Sequence, residues 1–429
     1  MKRTIFAVVP ALFAAVALQA APEVKITADR ADALYKIGEP VQFTVECVDN
    51  GNPVNAGSAV VTLTLDGGKV ISTEKVDFAM TNPATIAGTL NEPGFLRATA
   101  ASYAGIPKPK RYPSGGAGFE PEKIKMGGAQ PADFMKFWED GRAAVASGEI
   151  KLEKIEARST EKYTSYAVTV DALDGEKRYG FLVIPNGKGP FPAYVQVPGA
   201  GAGQAGPMVN WGERGVIALG MNVHKYPTVM DAPKMREIYA EQAKRMYYPV
   251  DQAEDRDKYF FRNVILGVDR MISYVAALPQ WDKKHFVIDG SSQGGGMALI
   301  MAGLNNNITA AAANVPALCD HGGVLAGRQS GWPQLINAER PKAGEVAPYF
   351  DAANFAAFIT CPVVVSAGFV DGTCAPSSVY AAYNRIDAPK RMLNMPLTGH
   401  EITQAYKEIQ EPWVEGQLGL RPALPPAAR

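Results

Sequence analysis

Two kinds of hydrophobic patterning divide the chain. From residue 22 to about 105, apolar and polar positions alternate with period two, as in 41–47 (VQFTVEC) and 60–65 (VVTLTL). That alternation is the mark of strands with one buried face. Turn residues break it at 49–53 (DNGNP), 66–68 (DGG) and 91–94 (NEPG). Short strands spaced about ten residues apart predict a small all-β immunoglobulin-like sandwich. Residues 106–130 open on alternating Pro and Lys at 107–110 and contain Gly115-Gly116, a composition that predicts a linker. From Asp133, a candidate N-cap, the apolar residues Phe134, Phe137 and Trp138 recur at helical spacing. Beyond it, strand-like runs at 179–185, 193–198, 216–222, 285–289, 310–315, 362–367 and 390–396 alternate with amphipathic stretches near 234–247, 260–278, 294–304 and 376–387. Several of the runs are apolar throughout, as strands buried on both faces are. The pattern predicts a doubly wound, mostly parallel α/β sheet over 131–418. The last stretch, 419–429, carries three prolines and is expected to be disordered.

The first twenty residues follow neither pattern. Lys2 and Arg3 precede an apolar run at 5–18, and the small residues Ala20 and Ala21 follow. This is the layout of an export signal, and the run is shorter than the roughly 20 residues that span a bilayer. The mature protein is therefore expected to be soluble, free of the membrane, and periplasmic or secreted. Lys+Arg 43 balance Asp+Glu 43, so there is no basic field to attract a polyanion, and nucleic acid is excluded as a partner. Four histidines, four cysteines and no CxxC pair point away from a built-in metal or other cofactor.

The chemistry concentrates after the run at 285–289. Gly290-Ser291-Ser292-Gln293-Gly294 follows that strand and opens the next predicted helix, the context of a nucleophile elbow with Ser292 at its tip. A serine hydroxyl needs a base, and in this architecture acid and histidine follow the serine in chain order. His224 and His285 precede Ser292, and His321 lies on the next crossover. His400, after the last strand, is left as the base. Asp371, in 368–372 (GFVDG) just past the strand at 362–367, is the acid. The oxyanion formed on attack needs two N–H donors. Gln293 offers one from its backbone and Ala200, in the loop at 198–203 (PGAGAG), is assigned the other. That loop lacks the Lys-Ser/Thr ending of a phosphate cradle.

On these residues the run from about 131 to 415 resembles the acetylxylan esterase and cephalosporin C deacetylase family of carbohydrate esterases. The matching stretches are 131–134 (PADF) with Phe137-Trp138, 208–211 (MVNW), 290–296 (GSSQGGG), 371–384 (DGTCAPSSVYAAYN) and 399–401 (GHE). The resemblance covers about two thirds of the chain and implies an α/β-hydrolase fold. It also implies O-deacetylation of acetylated sugars through Ser292, His400 and Asp371. Where the family has Arg-Gly-Gln, this chain has His224-Lys225-Tyr226, which cannot copy the five-donor fork of arginine. Support of the nucleophile loop and the associated oligomer contact are left open by that change, and with them a homo-oligomer. His224, Tyr226, Trp211 and His321 are expected to line the substrate site, His321 because it follows a strand on the catalytic side.

Cys361 and Cys374 bracket a strand and lie about 20 Å apart at 3.3 Å per residue, too far to pair. Cys319 and Cys374, both following strands on the catalytic side, form the candidate disulfide. Two other readings compete with the deacetylase. One is a peptidase or larger-acyl esterase on the same scaffold; the other is an inactive carbohydrate-binding surface protein.

Overall fold

The computed structural model describes residues 21–203 and 205–422. The expected export signal, and residues 423–429 of the expected tail, lie outside the described residues. Residues 23–119 build two sheets. In one, Val41–Asp49 pairs antiparallel with Glu23–Ala28, Asn52–Pro53 and Ala84–Gly88. The other runs Leu34–Tyr35, Ser114–Phe119, Gly94–Ala104, Ser58–Leu65, Lys69–Asp77. Alternation decides which side chains face in: Val41, Phe43, Val45 and Cys47 are buried while their neighbours Gln42, Thr44 and Glu46 are half-buried.

The expected linker contains a strand. Ser114–Phe119 pairs antiparallel with Gly94–Ala104, so the glycines there mark close approach rather than a loose connector. A Cβ on Gly116 would stand 2.5 Å from the Cβ of Phe369 in the following domain.

Residues 150–395 supply a nine-stranded mixed sheet in the order Ile150–Lys154, Tyr163–Asp171, Lys177–Pro185, Ile217–Met221, Phe191–Gln196, Trp281–Ser291, Ala310–Asn314, Val363–Gly368, Lys390–Met395. The first three form an antiparallel edge, and the six from Ile217–Met221 onward are parallel. Ile150–Lys154 is absent from the sequence expectations because its burial barely alternates and every one of its residues touches solvent; Tyr163–Asp171 is absent too, although its burial alternates. Three of the parallel strands, Ile217–Met221, Ala310–Asn314 and Val363–Gly368, are buried at every position.

Strand order reverses around Phe191–Gln196, which lies between Ile217–Met221 and Trp281–Ser291. Such a switch point opens a crevice at the carboxyl ends of the strands. Helices Phe134–Val145, Phe260–Ala277, Gln293–Leu304 and Pro376–Tyr383 carry the buried faces of the main core. Gln404–Gln417 belongs to a second core with Tyr194, Val287 and Val364. Among the described residues no helix is long and apolar enough to cross a membrane.

All four cysteines are free and buried, so the expected Cys319–Cys374 disulfide is not formed. The Cys319 thiol instead donates to the carbonyl of Ala317 at 3.3 Å.

Candidate active site

The strand Trp281–Ser291 runs into the helix Gln293–Leu304 through one residue, Ser292, which is held at φ 57°, ψ −120°. A side-chain-bearing residue adopts that backbone only under constraint. Here the constraint is three main-chain bonds: Ser292 N–H donates to Asn314 at 2.9 Å, and its carbonyl accepts from Gly296 and Ala317, each at 2.9 Å. The turn also demands bare neighbours, since a Cβ on Gly294 would fall 2.1 Å from the carbonyl oxygen of Val197.

His400 and Asp371 sit on the loops after the two last strands and converge on Ser292. His400 Nε2 lies 2.8 Å from Ser292 Oγ, and His400 Nδ1 lies 2.8 Å from Asp371 Oδ2. Asp371 is fully buried. Its other oxygen accepts from the N–H groups of Thr373 at 2.7 Å and Cys374 at 2.9 Å, which fixes the carboxylate plane toward the imidazole. The atoms of Asp371, His400 and Cys374 lie within 4.8 Å of one another, a spacing that could also hold a cation. Burial, however, drives the Cys374 thiol well above its ordinary range, so the donor set lacks a ready thiolate, and Asp371 and His400 are already committed to each other.

Gln293 opens the helix, where its N–H has no intrahelical acceptor. Its side chain ties two elements together: Oε1 accepts from the Tyr248 hydroxyl at 2.7 Å and Nε2 donates to the Pro198 carbonyl at 3.1 Å. Ala200 lies on the adjoining loop and is exposed. His224 and Tyr226 are buried and reach that same loop. His224 Nε2 donates to the carbonyl of Gly201 at 2.7 Å, and the Tyr226 hydroxyl donates to that of Ala202 at 2.7 Å. His224 stacks on Tyr226 with ring centroids 5.0 Å apart and meets Tyr248 edge-on at 4.7 Å. Burial lowers its pKa and keeps the ring neutral. The expected substrate-lining pair is thus a support of the loop, and Lys225 between them is paired with Glu176.

Two further expectations are corrected. His321 is completely buried, with both ring nitrogens unpartnered and its pKa pushed down to about 4 by burial. Its segment folds under Asp351, which accepts from the His321 N–H at 2.7 Å, instead of turning outward. Trp211 packs on Tyr194, centroids 4.9 Å apart, beneath Arg214 and within the second core. Its short helix lays it against the sheet face that Gln404–Gln417 covers.

Three contributors escaped sequence reading. Asn314 accepts from Ser366 Oγ at 2.6 Å and donates to Ser291 Oγ at 3.3 Å and to the Glu401 carbonyl at 3.4 Å, linking the elbow to the histidine loop. An asparagine closing a run of four alanines was the available signal. Tyr248 carried none, and neither did Arg97, whose guanidinium reaches across from the N-terminal sheets to donate to the main-chain carbonyl of Asp371. A cavity of about 500 Å³ lined by Arg142, Asp269 and Tyr274 holds none of these groups; side-chain geometry, not cavity size, locates the site.

The acetyl xylan esterase family model (AXE1) matches residues 122–416. Acetyl esterase Axe7A of Xylanibacter ruminicola is 31% identical over 403 residues, spanning 91% of this chain and 89% of that protein. Among solved structures, the acetyl xylan esterase from Paenibacillus sp. R4 superposes with a TM-score of 0.58 at 24% identity, over 69% of this chain and 98% of its own. Acetyl xylan esterase 1 from Thermoanaerobacterium sp. JW/SL YS485 gives 0.57 at 21% identity, over 70% and 98%. Both share the α/β-hydrolase fold with this chain, and the family match begins only after the N-terminal sheets. The chain belongs to the acetyl xylan esterase family and is a carboxylic ester hydrolase acting on carbohydrate esters.

Proposed function

We propose that the protein is an exported serine esterase that removes O-acetyl groups from polysaccharides or oligosaccharides through an acyl-enzyme on Ser292. The observation that carries this reading is the unbroken line of two 2.8 Å hydrogen bonds from Asp371 through His400 to Ser292. Ser292 Oγ attacks the acetyl carbonyl as His400 Nε2 takes its proton, and Asp371 stabilises the imidazolium and holds its tautomer. The oxyanion is received by the N–H groups of Gln293 and Ala200. Collapse of the tetrahedral intermediate breaks the C–O bond to the sugar, and His400 returns the proton to the departing sugar oxygen. Water, deprotonated by His400, then attacks the acyl-enzyme and acetate leaves. The signal-like pattern at 1–20 supports export. The two sheets of 23–119, with their inward alternation, support an immunoglobulin-like sandwich for that module.

The test is acetate release from acetylated xylo-oligosaccharides by wild type and Ser292→Ala side by side. Wild type is expected to release acetate, and Ser292→Ala to be slower on the order of 10⁵-fold or more. A variant that keeps most of the activity removes Ser292 from the mechanism. No release by wild type removes the glycan.

A further inference from the structure

The loop that carries Asp371 is gripped by a module that the family match does not include. Phe95 packs against Phe369 at 4.8 Å and Tyr380 at 5.4 Å, on either side of the acid. Asp66, fully buried, accepts from the Ser377 hydroxyl at 2.6 Å at the start of the next helix. Between them Arg97, also buried, donates to the Asp371 carbonyl, and Asp66 and Asp371 attract its charge without offsetting the cost of its burial. A surface that served only to join two domains would bury apolar groups there, because an interior guanidinium is costly unless paired. We propose that Arg97 is a positioning residue for the reaction: through the Asp371 main chain it sets the carboxylate in line with His400. This rests on the Ser292–His400–Asp371 reading.

The variants are Arg97→Met and the double variant Asp66→Asn/Arg97→Met, which leaves no buried carboxylate unpaired. Both are assayed on 4-nitrophenyl acetate, with the active fraction counted by a serine-reactive probe. Per active site, kcat is expected to fall about 10- to 100-fold with KM little changed, since a misplacement of about 1 Å can cost 10²-fold. Arg97→Lys should recover part of the loss. A folded double variant with wild-type kcat per active site overturns the proposal, as does a loss explained wholly by fewer active sites. Activity retained in Ser292→Ala would instead strike the triad itself.

A second observation concerns the substrate. His400 must protonate the departing sugar oxygen, so the acetylated ring lies against His400. A cleft of about 440 Å³ begins there, walled by Gly399, His400 and Glu401 on one side and by Lys25, Arg111 and Tyr112 of the N-terminal part on the other. That volume is in the usual range of small-ligand sites, about 300–1,000 Å³. Among the described residues the Arg111 guanidinium, the Tyr112 hydroxyl and the Glu401 carboxylate have no hydrogen-bond partner. Together they offer donors and an acceptor suited to sugar hydroxyls. We infer that this cleft binds the sugar units beside the acetylated one in an acetylated oligosaccharide.

Arg111→Ala/Tyr112→Ala is compared with wild type on acetylated xylo-oligosaccharides and on 4-nitrophenyl acetate, which carries no neighbouring sugar units. KM for the oligosaccharide should rise about tenfold, the loss of one or two hydrogen bonds, with a smaller change for the aryl ester. An unchanged KM on the oligosaccharide, or equal changes on both, overturns the subsite. Failure of wild type on every acetylated glycan falls on the functional reading instead.

Discussion

The loop at 199–203 and the loop at 368–374 flank the same serine but are held by different means. The first is tied down from within its own domain by His224 and Tyr226, 23 and 24 residues along the chain from the carbonyls they reach. The second is gripped by Arg97, 274 residues away in another module. The oxyanion side rests on neutral hydrogen bonds, each worth about 0.5–1.5 kcal/mol net, whereas the acid side uses a charged donor, worth about 1.5–3 kcal/mol. The acid is therefore held more firmly, at the cost of depending on the N-terminal sheets being folded and docked. The His224-Lys225-Tyr226 segment shows the other solution. Where the resembling family uses arginine, two aromatic rings and a salt bridge from Lys225 to Glu176 secure the loop locally.

Substitutions on the two sides should separate these supports. The largest effect belongs to the acid itself: Asp371→Asn should lower kcat by about 10⁴-fold, because the amide favours the wrong imidazole tautomer. Steady-state assay on 4-nitrophenyl acetate checks it, and a loss below tenfold would show that the acid side matters less than its grip suggests. On the oxyanion side, Ala200→Pro deletes the N–H and should cost about 10²- to 10³-fold, while Ala200→Gly keeps it and should stay near wild type. Equal losses in the two variants would move the second donor elsewhere in the loop. Tyr226→Phe removes only the bond to Ala202, and kcat/KM should fall by about threefold to tenfold, corresponding to one neutral hydrogen bond. A larger fall would mean that the local support is the tighter of the two. The smallest effect is expected from a chelator. Incubation with EDTA should leave the rate unchanged, and a loss restored by added divalent metal would convert the Asp371, Cys374 and His400 cluster into a cation site.

Much of the catalytic half was legible because its signals are local or ordinal. The elbow glycines announce a turn into which no Cβ fits, and chain order together with position at strand ends selected Asp371 and His400; the structure places His400 within hydrogen-bond distance of both Asp371 and Ser292. Several of the parallel strands announced themselves as apolar runs. What was misread depends on orientation. His321 and Trp211 lie in segments that resemble pocket walls, yet a turn under Asp351 buries one and a short helix lays the other on the opposite face. Gly115 and Gly116 read as linker because a strand that admits a neighbouring backbone has the same composition as a flexible connector.

Taken alone, the sequence determined the candidate nucleophile, the order of its candidate partners and the α/β architecture, since periodicity and strained turns are properties of adjacent residues. Only the tertiary structure decided what holds the two flanking loops. Arg97 and Asp371 are strangers along the chain, and their meeting depends on how two separately patterned cores pack, which no local spacing encodes.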